Sequence, residues 1–394
     1  MVKHAFRWFD LSLRGCRGSV ATIGLLLTAW LMVACAGSPL AEPSPSPRLT
    51  LTGTLIAGPT PPSTPLPMPT QTATPLPTAT TAPSPTPTPT HPLMVGVMRE
   101  QHFPGSELVI EQTLARGSNY DRYVVSYLSE GLMIYALLTV PRGPVPESGW
   151  PVVIFNHGYI PPDQYRTTER YVAYVDAFAR NGYIVFRSDY RGHGSSEGEA
   201  ANAYTSPAYT VDVLNGMASV MAYPQADPER VGMWGHSMGG SIALRAMVVT
   251  DTVKAGVIWA GVTAPHPTLI DHWARRWANR PTPTADPLSA AHDWDAVIYR
   301  LDAVEQNRAF WEAIDPFFHL QEISGPLQIH HGTADASVPV AFSEMLHASL
   351  EEAGQRSELY IYPNDNHNLS NSFGLAMQRS VAFFDRHLKG IAGE

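Results

Sequence analysis

No packed core can form across residues 58–92. The stretch GPTPPSTPLPMPTQTATPLPTATTAPSPTPTPTHP holds 13 prolines and 11 threonines in 35 positions. Its apolar surface is too small to offset the entropy lost on ordering a chain. Each proline also fixes φ and removes a backbone donor. The composition therefore predicts a disordered linker over 36–92 whose Pro-rich part is extended and polyproline-like, reaching on the order of 100 Å at full stretch. It reads equally as a spacer that carries a domain outward and as a linker with no specific task, and Thr-Pro tracts of this kind can carry sugars. The segments on either side of it differ sharply.

Residues 1–35 read as an export signal. Lys3, Arg7, Arg14 and Arg17 against Asp10 make a basic start, and Val20 to Ala34 is an apolar run, as such leaders require. The run is shorter than the roughly 20 residues needed to span a bilayer. Met32-Val33-Ala34-Cys35 resembles a bacterial lipobox, which makes Cys35 the candidate lipid-attachment site and first mature residue. Ala34-Cys35-Ala36 also fits ordinary signal cleavage. The lipobox is the preferred reading because a cysteine is otherwise unexpected there, although Met32 stands where leucine is more usual. Both readings expect an exported protein, held at the cell surface or envelope by a lipid anchor or else secreted. Membrane contact is expected only through that anchor.

The two cysteines of the chain, Cys16 and Cys35, both lie in this leader, so no disulfide is expected in the body even in an oxidising compartment. The whole chain carries 26 basic and 35 acidic residues; setting aside the leader's four basic and one acidic leaves 22 against 34, a net −12. That balance, without clustered Lys/Arg runs, argues against nucleic acid as a partner. It suits solubility and does not identify a substrate.

From about residue 93 the chain changes to alternating apolar and turn segments. SELVIEQTLA and YDRYVVSYLSEGLMIYALLTVP read as antiparallel strands, with a hairpin turn at Ser129-Glu130-Gly131. PVVIFNHG, YIVFRSDY, RVGMWGH, VKAGVIWAG, PLQIHHG and ELYIYP read as further strands. Helical periodicity is predicted over Tyr165–Asn181, Tyr209–Tyr223, SMGGSIALRAMVV, Val340–Ala353 and Leu375–Leu388. Strands alternating with helices imply an α/β protein: a mostly parallel, doubly wound sheet with antiparallel N-terminal strands. No repeat of 20–50 residues is visible.

Gly235-His236-Ser237-Met238-Gly239 fits G-x-S-x-G. The bare pattern is a modest signal, but here it joins the end of a predicted strand to the start of a predicted helix. Glycines two residues either side of Ser237 remove side chains that would clash in so tight a turn. An oxyanion formed there gains from the helix N-terminus. A serine hydroxyl needs a base, and His367, in YPNDNHNLS after the last strand, is the best candidate. Asp335, in HHGTADASVP after the preceding strand, is its candidate orienting acid, and the order Ser237, Asp335, His367 is the one this strand-turn-helix arrangement expects.

Asp365 is the lesser alternative, read as part of an Asn-Asp-Asn turn. His330, His331 and His236 read as packing or capping residues. The oxyanion donors are assigned to the backbone N–H groups of Met238 and Tyr159, with His157 bracing the latter's loop. Arg191 to Ser196 has the wrong spacing for a phosphate cradle and reads as a structural loop. No metal-ligand spacing occurs among the 15 histidines, so no metal is expected.

From about residue 120 onward the chain resembles an α/β-hydrolase of the prolyl-oligopeptidase-like and acyl-esterase branch. The blocks that carry the likeness are FNHGY, SDYRGHGSS, VGMWGHSMGG, HHGTADASVP and NDNHN. The resemblance implies an α/β-hydrolase fold with a helical lid insertion over about 262–322, and hydrolysis through an acyl-enzyme without a cofactor. It gives Tyr159 and Met238 the oxyanion, Ser237 the attack, Asp335 the acid role and His367 the base role. Oligopeptidases of that family carry a large β-propeller before the hydrolase domain. The roughly 50 residues between linker and first block leave it no room, which favours the esterase members. Aromatic residues of the insertion, Trp273, Trp277, Trp294, Phe310, Trp311, Phe317 and Phe318, would either shape an acyl pocket or pack the lid onto the sheet. The expected substrate is a small ester, with short peptides as the alternative and a non-catalytic surface binding module as the rival from another class.

Overall fold

Within the computed structural model, residues 91–277 and 308–391 are described; the expected leader, the linker up to residue 90 and the middle of the insertion lie outside them. A nine-stranded sheet runs β1-β2-β3-β5-β4-β6-β7-β8-β9 across the body. Its strands are β1 (Val109–Thr113), β2 (Tyr120–Ser129), β3 (Leu132–Pro141), β4 (Trp150–Asn156), β5 (Ile184–Ser188), β6 (Ala226–His236), β7 (Val253–Trp259), β8 (Leu327–Gly332) and β9 (Ser357–Tyr362). From β5 to β9 every neighbouring pair is parallel, whereas β1, β2 and β3 pair antiparallel. The turn between β2 and β3 is the expected hairpin. Glu130 and Gly131 both take positive φ, 51° and 81°, the mirror-image two-residue turn that matches strand twist.

The helices described are α1 (Val95–Glu100), α2 (Val172–Arg180), α3 (Ala208–Met221), α4 (Met238–Val249), α5 (His266–Trp277), α6 (Arg308–Ile314), α7 (Val340–Glu352) and α8 (Phe373–Leu388), with a 3-10 turn over Pro316–Glu322. Alternation along the strands splits the core in two, because successive side chains point to opposite faces. Val152, Ile154, Val231 and Met233 face α3 and α4. Val153, Phe155, Trp234 and Trp259 face Phe178 of α2 and Phe383 and Phe384 of α8. Both faces are covered, which is why the parallel strands read as continuous apolar runs. Helix α1 had no periodic signal in so short a segment. It is fastened instead by Arg99, which donates to the Val248 carbonyl. Nearby, the buried Arg245 guanidinium donates to the carbonyls of Leu93 at 3.0 Å and Ile314 at 2.8 Å, tying the start of the described domain to the end of α6.

One predicted helix is cut short. The expected Tyr165–Asn181 helix begins only at Val172, and its first turns are replaced by a loop with Arg170 and Tyr171 at positive φ. The cause lies on β5. Arg187 is buried and donates to the carbonyls of Thr167, Glu169 and Arg170, groups a helix would have used internally. Beside it, burial pushes the Asp189 carboxyl up to about 7, against the hydrogen bonds from Thr167 and Tyr165 and the Arg187 charge. Arg187→Met leaves three carbonyls without their donor, and we expect it to cost about 3 kcal/mol, read as a lowered urea midpoint with an unchanged slope.

Candidate active site

The peptide at Ser237 is strained. Its φ of 56° and ψ of −120° lie in a region that costs a non-glycine residue on the order of 1–3 kcal/mol. The turn is held by its neighbours: Ser237 N–H donates to the Trp259 carbonyl at 3.0 Å, and its own carbonyl accepts from Val262 at 3.1 Å and Gly240 at 2.9 Å. The flanking glycines are required by contact. A Cβ on Gly235 would lie 2.3 Å from the Gly239 carbonyl oxygen, and one on Gly239 would lie 2.1 Å from that of Asn156. Backbone therefore touches backbone on both sides of the serine. This presses the N-terminus of α4 against the end of β4 and leaves the Ser237 side chain at the carboxyl edge of the sheet.

The loop after β4 closes over this edge. A Cβ on Gly158 would lie 3.1 Å from the Ser237 Cβ. The Gly158 N–H is taken by the Tyr171 hydroxyl at 2.9 Å. Among the described residues no acceptor takes the next N–H, that of Tyr159, or the N–H of Met238 at the start of α4. His157 braces the loop from behind, stacked between Tyr165 and Tyr190 with centroids 4.6 and 4.3 Å away. Burial holds its pKa down to about 3, so the ring is neutral and donates from Nδ1 to the Gly158 carbonyl at 2.8 Å.

Asp335 and His367 meet because the loops after β8 and β9 are laced together. Thr333 donates to the Tyr362 carbonyl at 3.0 Å and Ala334 to that of Asp365 at 2.9 Å. His367 Nδ1 then donates to Asp335 Oδ2 at 2.6 Å. The carboxylate accepts three more bonds: Ser337 and Val338 N–H to Oδ1 at 2.7 and 2.9 Å, and His331 Nε2 to Oδ2 at 3.0 Å. Burial alone would raise this carboxyl. The hydrogen bonds from His331, His367 and Val338 outweigh it and hold the group well below the ordinary carboxylate range. Among the described residues no hydrogen bond joins the Ser237 hydroxyl to His367; such contacts often tighten only around substrate.

The alternatives have other partners. Asp365 accepts the N–H groups of Asn366, Asn371 and Ser372 at 2.9, 3.1 and 2.8 Å and so folds the turn that carries His367. His330 bonds the Tyr362 hydroxyl and Gln328 on the other face of β8. Arg191 pairs with Asp212 and Glu130 at 2.7 and 2.8 Å, a brace for its loop. His331 goes beyond the packing role expected of it, since it shares the Asp335 oxygen with His367. In the insertion, Phe310 and Trp311 are buried with Leu93 and Ile314, Phe317 packs on the core and Phe318 is exposed. Trp273, Trp277 and Trp294 lie outside the described side chains.

The depressed Asp335 pKa predicts an acid-sensitive contribution to stability. It is complete above the ordinary carboxyl value of about 4 and is lost as pH falls toward the native one. The gap in Tm between wild type and Asp335→Asn should therefore narrow on going from pH 5 to pH 3. A gap that stays constant over that range would show that the carboxylate contributes no such term.

Comparison with known proteins places the chain in a family. The model of the Prolyl oligopeptidase family matches residues 170–390. Among curated relatives, the uncharacterized peptidase YuxL of Bacillus subtilis (strain 168) is 27% identical over 277 residues, covering 67% of this chain and 39% of that protein. The uncharacterized peptidase YtmA of the same organism is 22% identical over 249 residues, covering 62% of this chain and 85% of that protein. The chain thus spans about two fifths of the length of YuxL. Among solved structures, Pyrococcus horikoshii acylaminoacyl peptidase superposes with a TM-score of 0.57 at 23% identity, over 70% of this chain and 43% of that one. Acetyl xylan esterase 1 from a Thermoanaerobacterium superposes at 0.53 and 19%, over 73% and 90%. The structural likenesses establish the α/β-hydrolase fold, and the match over residues 170–390 establishes the family: the chain belongs to the prolyl oligopeptidase family.

Proposed function

We propose that the protein is an exported serine hydrolase that cleaves carboxylic esters through an acyl-enzyme. The observation that carries the reading is the 2.6 Å bond from His367 to Asp335, on strand-end loops at the sheet edge that also bears the strained Ser237. Ser237 Oγ attacks the ester carbonyl carbon while its proton passes to His367 Nε2. Asp335 keeps the Nδ1 proton in place and stabilises the imidazolium. Negative charge on the carbonyl oxygen rests on the N–H groups of Tyr159 and Met238. Collapse of the intermediate expels the alcohol, which takes the proton from His367. Water then repeats the sequence on the acyl-enzyme and releases the acid.

The preference for esters over amides rests on the open approach to the nucleophile: Tyr159, beside Ser237, is 55% exposed. The site mouth therefore takes a small substrate from solvent. The two named peptidases among the relatives favour short peptides as the second reading. Export, and lipid attachment at Cys35, rest on the leader sequence alone.

Initial rates on p-nitrophenyl esters of rising acyl length, set beside aminoacyl p-nitroanilides, test the reading. Ester turnover should fall by at least about a thousand-fold in Ser237→Ala, and anilide turnover should be negligible. Anilide rates comparable to ester rates would transfer the assignment to peptides. Turnover unaffected by Ser237→Ala would remove the hydrolase reading altogether.

A further inference from the structure

His236 is the first of the two variable residues of the G-x-S-x-G turn, and it is buried. Its Nε2 lies 3.0 Å from the backbone carbonyl of His367, and its Nδ1 lies 2.7 Å from the Tyr171 hydroxyl. The Tyr171 hydroxyl also receives the N–H of Gly158 at 2.9 Å. These contacts can run in only one direction. A carbonyl only accepts, so the His236 proton sits on Nε2. A neutral ring then accepts at Nδ1, so Tyr171 donates its hydroxyl proton there. Its oxygen is left to accept from Gly158. Burial and the nearby His367 hold the His236 pKa down to about 3, which keeps the ring in this neutral form.

The relay therefore joins the turn bearing Tyr159 to the loop bearing His367, and it passes through the residue adjoining Ser237. The His236 and His367 rings also meet at a tilt of 50°, with centroids 4.6 Å apart. Tyr171 is placed for this by unusual means. It and Arg170 take φ of 48° and 55°, and the Arg187 guanidinium holds the Arg170 carbonyl at 2.8 Å. Two successive non-glycine residues in the left-handed region are backbone strain that the surrounding contacts must sustain.

We infer that His236 is a positioning residue that sets the oxyanion-donor turn and the base loop at fixed distances from the nucleophile. The inference rests on the hydrolase reading above for its kinetic consequence, but the relay itself is a structural claim. A ring that only fills space would be replaceable by phenylalanine. A strut would not be, because a misplacement of about 1 Å between reacting groups can cost on the order of a hundred-fold in rate.

The test uses the full chain, with each variant active-site titrated and its Tm recorded. His236→Phe should lower kcat by on the order of 10- to 100-fold while KM stays within about two-fold. Tyr171→Phe, which removes one hydroxyl and keeps the packed ring, should show the same split. His236→Phe/Tyr171→Phe should lose no more than the worse single variant, since both cut one unit. His236→Gln, which retains an N–H for the His367 carbonyl, should recover part of the loss. Full kcat in folded His236→Phe and Tyr171→Phe, or a double variant whose losses multiply, would overturn the strut. A second readout stands apart from turnover: nitrogen NMR of the histidines should show His236 with its proton on Nε2 and neutral at pH 6, and Tyr171→Phe should shift its Nδ1 signal. A Nδ1-protonated His236 would overturn the relay. Absence of any Ser237-dependent turnover would instead count against the hydrolase reading while the NMR result still decided the relay.

Discussion

The strained peptide at Ser237 is the constraint on which the site depends. A serine at φ 56° and ψ −120° persists only where its surroundings leave it no other conformation. Here those surroundings are backbone. The Trp259 carbonyl and the Val262 N–H hold the Ser237 peptide from β7 and the loop beyond, and the missing side chains at Gly235 and Gly239 let α4 press on β4. Strands β4, β6 and β7 lie side by side in the sheet, and all are buried on both faces. The turn thus borrows its rigidity from buried central strands of the sheet. Loops alone could not hold a backbone in that conformation.

Three further segments, two of them in the loop between β4 and α2, converge on this fixed point, each ordered by buried polar groups. The loop after β4 is braced by His157, the segment before α2 by Arg187, and the loop after β9 by Asp365, which takes three backbone N–H groups. Burying polar groups is costly unless each finds a partner. The partners here are mostly backbone atoms of the loops themselves, so satisfying the side chain and ordering the loop are the same event. That is how a carboxylate, a guanidinium and several imidazoles can sit beneath a sheet edge without unfolding it.

The same fact explains what the sequence reveals and what it conceals. The doubly wound sheet is legible because apolar alternation and run length report burial locally, as in PVVIFN and YIVFRS. The elbow is legible because only glycine tolerates such contact, and a glycine pair two residues either side of a serine is visible in one line of text. Asp335 and His367 are legible through their places at strand ends. The shortened α2 is not, because Tyr165 to Asn181 has good helical periodicity and the carbonyls are captured by Arg187 from another strand. Nor are the contacts of His331 and His236. A histidine carries no periodic signature, and its role is set by which atoms tertiary packing brings within about 3 Å.

Electrostatics then sorts the histidines gathered near Ser237. His157, His236 and His330 face carbonyls, hydroxyls or amides, and burial holds each down to about 3. None of them can accept a proton at ordinary pH. His331 and His367 both donate to the Asp335 carboxylate. His331 is fully buried and spends both nitrogens, one on Ser343 and the other on Asp335 and Val338. His367 keeps 19% of its side chain exposed and commits only Nδ1 to the carboxylate, so among the described residues its Nε2 has no hydrogen-bond partner. Of the five rings, it alone combines a bond to the carboxylate with an available nitrogen.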